Sequence, residues 1–317
     1  ARKLIIVPDG YLGLIPFEAV LTEPYSGTWK DLEVPYLIRN YAVGYAWSAG
    51  ALGQTNAVDN TPKYNFVGIG TEYNAAAGAG DTAVIAMRNL GPLPNADDEV
   101  EAIGNLLHGK TWLNAEATKA NFLASAPDCG ILHVATHGIL DEQNPMLSCL
   151  VFNNSEEGNN NRLFASELYN IQLQAQMTVL SACNTGQGRA DNGEGVMSLA
   201  RAFAFAGCPT LVSSLWSVND RSTSDVMKGF YRLLKEGKPV DESMQGAKLN
   251  YLKSTTSEYA KPVYWAGFVV IGNNNALPGQ FFDAGISGWW IAAGGLAGIG
   301  ALYFFIVRRN LYRAKSR

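Results

Sequence analysis

Cysteine and histidine are scarce in this chain, with four Cys and three His among 317 residues. Cys129, Cys149, Cys183 and Cys208 show no CxxC spacing, and so few in a chain this long do not make a disulfide framework. His133 and His137 stand four apart, which on a helix would suggest a metal pair. The run that holds them is apolar and strand-like, which sets the two side chains roughly 13 Å apart on one face. With no further Cys/His/Asp cluster, neither a metal nor another cofactor is expected. Charge is also sparse. Charged residues are 16% of the chain and the net charge is −4, so no basic surplus calls for nucleic acid. The glycine-rich stretch 186–195 lacks GxxxxGK[ST] spacing, which argues against a phosphate loop. There is no internal repeat. There is also no initiating Met and no signal peptide: Ala1 runs straight into a strand-like segment, as in a piece trimmed from a longer protein.

What the chain does have is apolar matter, 47% of its residues, and a length that suits one large domain or two ordinary ones. Residues 3–7 read as a strand closed by Pro8, Asp9 and Gly10. Residues 12–17 read as a second strand returning after that turn. Residues 56–63 are a polar connector, 64–70 a buried strand, and 75–81 an Ala/Gly-rich loop. A helix starts after Pro94-Asn95, with Asp97, Asp98 and Glu99 in its first turn, where the helix dipole favours negative charge. Its apolar face is Val100, Ile103, Leu106 and Leu107. Strands follow at about 130–136 and 177–182, separated by the polar loop 153–162. A helix at about 195–206, stopped by Gly207 and Pro209, a strand at 210–216, helices at about 221–235 and 241–252 and a strand at 264–272 complete the pattern. Strands alternating with helices predict an α/β sandwich with a largely parallel sheet.

The tail differs in kind. Residues 286–307 carry no charge and are long enough to cross a bilayer as a helix. Trp289 and Trp290 flank one end and Tyr303 and Tyr312 the other, and Arg308, Arg309, Arg313, Lys315 and Arg317 follow. This pattern predicts a linker over 274–285, a transmembrane helix over 286–307 and a basic cytoplasmic tail over 308–317. The protein would then be single-pass, with the globular part on the outer side unless the chain inserts as a tail anchor. The competing reading of 286–307 is a buried core helix.

Two motifs carry chemistry. Run 131–138 (ILHVATHG) and run 178–186 (TVLSACNTG) are short apolar strands that end at His137 and Cys183 and pass into glycine. If the strands are parallel neighbours, imidazole and thiol emerge at one sheet edge, where open α/β sheets bind ligands. A thiol beside an imidazole is a nucleophile and its base, and the imidazole lowers the thiol pKa. Gly138, without a side chain, lets its N–H approach a substrate carbonyl, as an oxyanion donor must. The plainer readings are a packed core cysteine and a histidine that bonds a loop. His133 reads as a core residue or a support of the site, and His108, at a helix end, as structural.

In these motifs the chain resembles the CHAT domain family, caspase-like peptidase relatives often found behind TPR repeats. The resemblance runs through 5–17 (IIVPDGYLGLIPF), 93–99 (LPNADDE), 133–138 (HVATHG), 180–186 (LSACNTG), 193–196 (GEGV), 214–220 (SLWSVND) and 264–268 (YWAGF), and so spans the globular part, 1–273. It implies a caspase-like α/β/α fold and a cysteine endopeptidase of bacterial type. In that enzyme His137 and Cys183 are catalytic, and the N–H groups of Gly138 and Cys183 form the oxyanion hole. It also implies a protein substrate and an upstream TPR-type sensor. Asp191 and Glu194, just past the nucleophile, are candidates for selecting a basic P1 residue; the other reading is solvated loop charge, or a helix-capping Glu194. Trp216 either walls a substrate pocket or, like Trp265, packs in the core. The alternative to an enzyme is a non-catalytic caspase-like module that transmits a signal without cutting.

Overall fold

The computed structural model describes residues 2–28, 33–51, 61–71, 93–141, 143–153, 161–181, 194–216 and 220–282. All belong to one compact unit; a second unit, 283–317, lies outside the described residues. The main sheet holds eight strands: β1 (Arg2–Ile6), β2 (Tyr41–Tyr45), β3 (Tyr64–Gly70), β4 (Lys110–Leu113), β5 (Cys129–Ala135), β9 (Met177–Leu180), β10 (Thr210–Ser214) and β11 (Phe268–Gly272). Their spatial order is β1-β2-β11-β10-β9-β5-β3-β4. Each neighbouring pair is parallel except β10 with β11. A separate antiparallel sheet joins β6 (His137–Ile139), β7 (Cys149–Val151) and β8 (Arg162–Phe164).

Side-chain alternation sorts the main sheet's residues into two cores. Phe66, Ile131, Met177, Val179, Val212, Phe268 and Val270 point to one face. There they meet α1 (Ala96–Leu107), α5 (Asp220–Lys235) and α6 (Val240–Ser254) through Ile103, Leu107, Phe230, Tyr231, Met244 and Tyr251. Val67, Leu132, Val134, Leu180, Leu211 and Ile271 point to the other. They meet α2 (Lys119–Ser125), α3 (Ala165–Leu168), α4 (Glu194–Phe205) and the small sheet through Phe122, Leu168, Leu199, Phe203 and Leu150. A parallel sheet covered on both faces accounts for strands that read as near-continuous apolar runs. The result is a mixed α/β fold with a mostly parallel sheet.

Several expected elements hold closely: α1 begins after Asn95, and α4 ends just before Gly207, whose φ of +111° few side chains tolerate. Others need correction. Residues 12–17 form no strand. The chain curls into two short 3₁₀ turns, Gly10–Leu14 and Phe17–Ala19, closed by Ile15 N–H to Leu12 O (3.2 Å) and Val20 N–H to Phe17 O (3.1 Å). Gly10, at φ +52°, starts the curl, and Pro16 removes a donor a strand would need. The run 264–272 is not one strand either. Pro262 pre-sets the first turn of α7 (Pro262–Trp265), so pairing begins only at Phe268. β11 then lies inside the sheet, between β2 and β10. Residues up to 282, read as the start of a linker, bring Phe281 and Phe282 into the core.

The expectation of a single-pass membrane protein is also corrected: among the described residues no helix is long and apolar enough to cross a membrane. The run 286–307 that prompted it lies outside the described residues, as do 52–60 and the loop 75–81.

Cys129, Cys149 and Cys208 are buried free thiols. Burial above all pushes Cys149 and Cys208 up to about 11, and Cys129 higher still. The unfolded thiol titrates near 8.5, so the folded-state value is the raised one. Their contribution to stability is therefore full below about pH 8.5 and falls as pH rises toward 11. Melting temperature measured from pH 8 to 11 should decline, and less steeply in Cys208→Ala; an unchanged slope there would exclude this thiol as its source.

Candidate active site

β5 and β9 are parallel neighbours, and their last paired residues are Val134 and Leu180. The main-chain N–H of Ser181 adds a further bond to Val134 O, at 2.9 Å. From that shared rung His137 lies three residues along one chain and Cys183 three along the other. The two strands thus end side by side at the carboxyl edge of the sheet. Cys183 itself lies outside the described residues, as do 182–193 with Asp191.

His137 is held from several sides. β5 ends at Ala135, whose carbonyl accepts from Thr71 N–H (3.1 Å). Thr136 makes the turn. Its hydroxyl donates to Val151 O and lies 3.4 Å from that of Thr71, and its burial leaves these partners no competition from water. The chain then enters the small sheet, with His137 opposite Val151 and Gly138 opposite Leu150. The sequence reading ends the first strand at His137; instead β5 ends at Ala135, and His137 and Gly138 sit on a second strand, which fixes their main chain. His137 is 1% exposed.

Of the other expected residues, Glu194 and Trp216 follow the carboxyl ends of β9 and β10, whereas His108 precedes the amino end of β4. Glu194 opens α4, its side chain outside the described part. Trp216 follows β10, half-buried, packed against both cores, and its indole N–H donates to Val263 O at 3.0 Å. That partner comes from α7, so the indole is tied to a second element besides its core contacts. Trp265 is wholly core: it is buried, donates to Ala260 O (3.1 Å) and meets Tyr36 edge-on at 5.1 Å. His108 caps α1 in the left-handed region at φ +53°, exposed, a structural role.

His133 is a core residue, and its partners were not legible in the sequence. Its Nε2 lies 3.0 Å from Glu99 Oε1 and its Nδ1 3.1 Å from the Tyr231 hydroxyl. Ser181 Oγ donates to the same Glu99 Oε1 at 2.5 Å. Of the three acids in the first turn of α1, only Asp98 is exposed; Asp97 and Glu99 are buried. A first-turn carboxylate serves the helix dipole equally well from outside, so nothing local signalled the inward turn. Among the described residues no group of three or more His, Cys, Asp or Glu could hold a metal.

The family model of the CHAT domain matches residues 1–273. Among curated proteins, tetratricopeptide repeat protein 28 of Mus musculus is 24% identical and that of Homo sapiens 25%, each over 87% of this chain and 12% of the relative. The chain therefore spans about an eighth of the length of these relatives. Both are mammalian, and nothing among these matches supports the bacterial source expected from the sequence. Among solved structures, the Saccharomyces cerevisiae separase–securin complex gives a TM-score of 0.49 at 13% identity, over 83% of this chain and 15% of that one. The Arg-specific cysteine proteinase gingipain R gives 0.40 at 10%, over 67% and 46%. Likeness at this distance carries no functional weight.

Proposed function

We infer, from the premise that this chain belongs to the CHAT domain family, that it is a cysteine endopeptidase domain of caspase-like fold acting through a His137–Cys183 dyad. One observation carries the reading. The rung Val134–Leu180, the last of two adjacent parallel strands, precedes His137 by three residues in one chain and Cys183 by three in the other, and such strands end at the edge where α/β sheets bind ligands.

In this reading His137 takes the Cys183 proton, and the thiolate attacks the scissile carbonyl carbon. The oxyanion rests on the N–H groups of Gly138 and Cys183. Collapse expels the amine, which leaves with the proton from His137. Water, deprotonated by the same imidazole, then hydrolyses the thioester and frees Cys183. No step calls on a metal, a cofactor or nucleic acid. The relatives are named for tetratricopeptide repeats and are far longer than this chain. We therefore take a TPR-type region of the same polypeptide as the regulator, and a protein as the substrate.

The test is a cysteine-reactive peptide probe at neutral pH. It should label Cys183 in the parent and not in His137→Ala. Cys129, Cys149 and Cys208 should stay unlabelled until the protein is unfolded, because they are buried and their thiols are pushed up. Labelling of His137→Ala at the parent rate would end the dyad. A second reading, a scaffold that signals without cutting, is favoured by the burial of His137; a parent that never labels would support it.

For specificity, Asp191 and Glu194 favour a basic P1 residue, with Trp216 walling the pocket. A P1-scanning peptide library should rank Arg and Lys first, and a preference for apolar P1 would remove the acids from that role.

A further inference from the structure

We propose that Glu99 is a positioning residue of the site, its buried carboxylate tying together the two strands that deliver the dyad. This rests on the peptidase reading above.

The geometry is specific. Glu99 comes from α1, is 2% exposed, and places one oxygen, Oε1, against both Ser181 Oγ (2.5 Å) and His133 Nε2 (3.0 Å). Ser181 is two residues before Cys183, and His133 four before His137. One atom therefore braces both chains just before they leave the sheet. Behind it, His133 Nδ1 faces the hydroxyl of the buried Tyr231 on α5 (3.1 Å).

One arrangement of protons satisfies every group. Burial, and then the charge of Glu99, hold the Tyr231 phenol far above its usual range, so it remains an O–H donor. An ionised carboxylate only accepts. Tyr231 then donates to Nδ1, the other ring nitrogen carries the proton and donates to Glu99, and Ser181 donates to the same oxygen. Every donor along Tyr231–His133–Glu99–Ser181 has an acceptor, and the orientation is set at both ends. Such a satisfied buried network rigidifies what it touches.

A purely structural role would also satisfy these groups. What points to the site is where the network ends. β9 has four residues, and past it the described chain has two ties: the Ser181 N–H to Val134 O and the Ser181 hydroxyl to Glu99. Removing the second loosens Ser181, two residues before Cys183 in sequence, while leaving the sheet paired. A misplacement of about 1 Å at a reacting group can cost on the order of 100-fold in rate.

The experiment measures the rate of Cys183 alkylation by the peptide probe, kcat and KM for a peptide substrate, and melting temperature. Ser181→Ala should slow alkylation and lower kcat by about 10- to 100-fold, with KM within about twofold. Ser181→Thr, which keeps the hydroxyl, should restore most of the rate. Glu99→Gln, similar in shape but with an amide facing the two donors, should fall in the same range. Rates that stay at the parent value per folded molecule in Ser181→Ala and Glu99→Gln, with only the melting temperature lowered, would overturn the proposal and leave the dyad standing. A parent in which Cys183 does not react at all would overturn the peptidase reading, and this inference with it.

Discussion

Cys183→Ala should reduce peptide cleavage to background, a loss of at least about 10³-fold in kcat/KM, and His137→Ala should do nearly the same. The reason is chemical. Without the sulfur no acyl-enzyme forms; without the ring nitrogen the thiol lacks its base and the departing amine its acid. Because the two act as one unit, the double variant should be no slower than the worse single. Losses that multiplied instead would mean that the residues act independently, and the dyad would fall. Both variants should fold. His137 is buried, yet its main chain is held by β6–β7 pairing and by the Thr136 turn, neither of which needs the ring.

The largest expected loss of stability lies elsewhere, at a buried ion pair. Lys248 on α6 is fully buried, and its Nζ meets Glu18 Oε1 at 2.9 Å and the Phe268 carbonyl of β11 at 2.5 Å. Glu18 also accepts from the Tyr45 hydroxyl of β2 (2.6 Å), which in turn accepts from Phe17 N–H (2.8 Å). Burial first, and then the charge of Glu18, keep the Tyr45 phenol protonated and donating. Lys248→Met alone leaves the Glu18 carboxylate buried without its cation. Breaking such a pair costs about 3–5 kcal/mol, a drop in melting temperature on the order of 10 °C for a domain of this size. The paired replacement Lys248→Met with Glu18→Leu removes both charges and should recover most of that loss, because burying two charges is itself expensive. Thermal melts of the single and double variants check this. A harmless Lys248→Met would mean that the pair stabilises nothing.

This ion pair and the Glu99 network share a lesson. Glu18 directly follows the apolar stretch 12–17 that reads as a strand, and Glu99 lies in a first turn that reads as dipole compensation. In each case the sequence shows a charge in a plausible local setting. Whether that charge faces water or a partner more than 80 positions away, as Glu99 does with Ser181 and Glu18 with Lys248, is not a local property. Residues 12–17 are the converse case. Their apolar character is real, but no described strand pairs with them, so Leu12 and Ile15 stay exposed on a curled segment.

By itself the sequence determined the elements whose signal repeats within a few residues. These are α1 with its start at Asn95 and its apolar stripe, the buried strands β3, β5 and β9, and the stop of α4 at Gly207. It also marked His137 and Cys183 as chemically capable ends of strands. Only the tertiary structure decided that β5 and β9 are neighbours, parallel and in a register whose last pair, Val134 with Leu180, stands three residues before each of those two in sequence. It alone decided that β11 enters the sheet antiparallel, and that Glu99 turns inward to Ser181 and His133. Periodicity and turn chemistry depend on residues a few positions apart and can be read along the chain. Strand pairing and the desolvation of a charge depend on groups that meet only when distant segments pack.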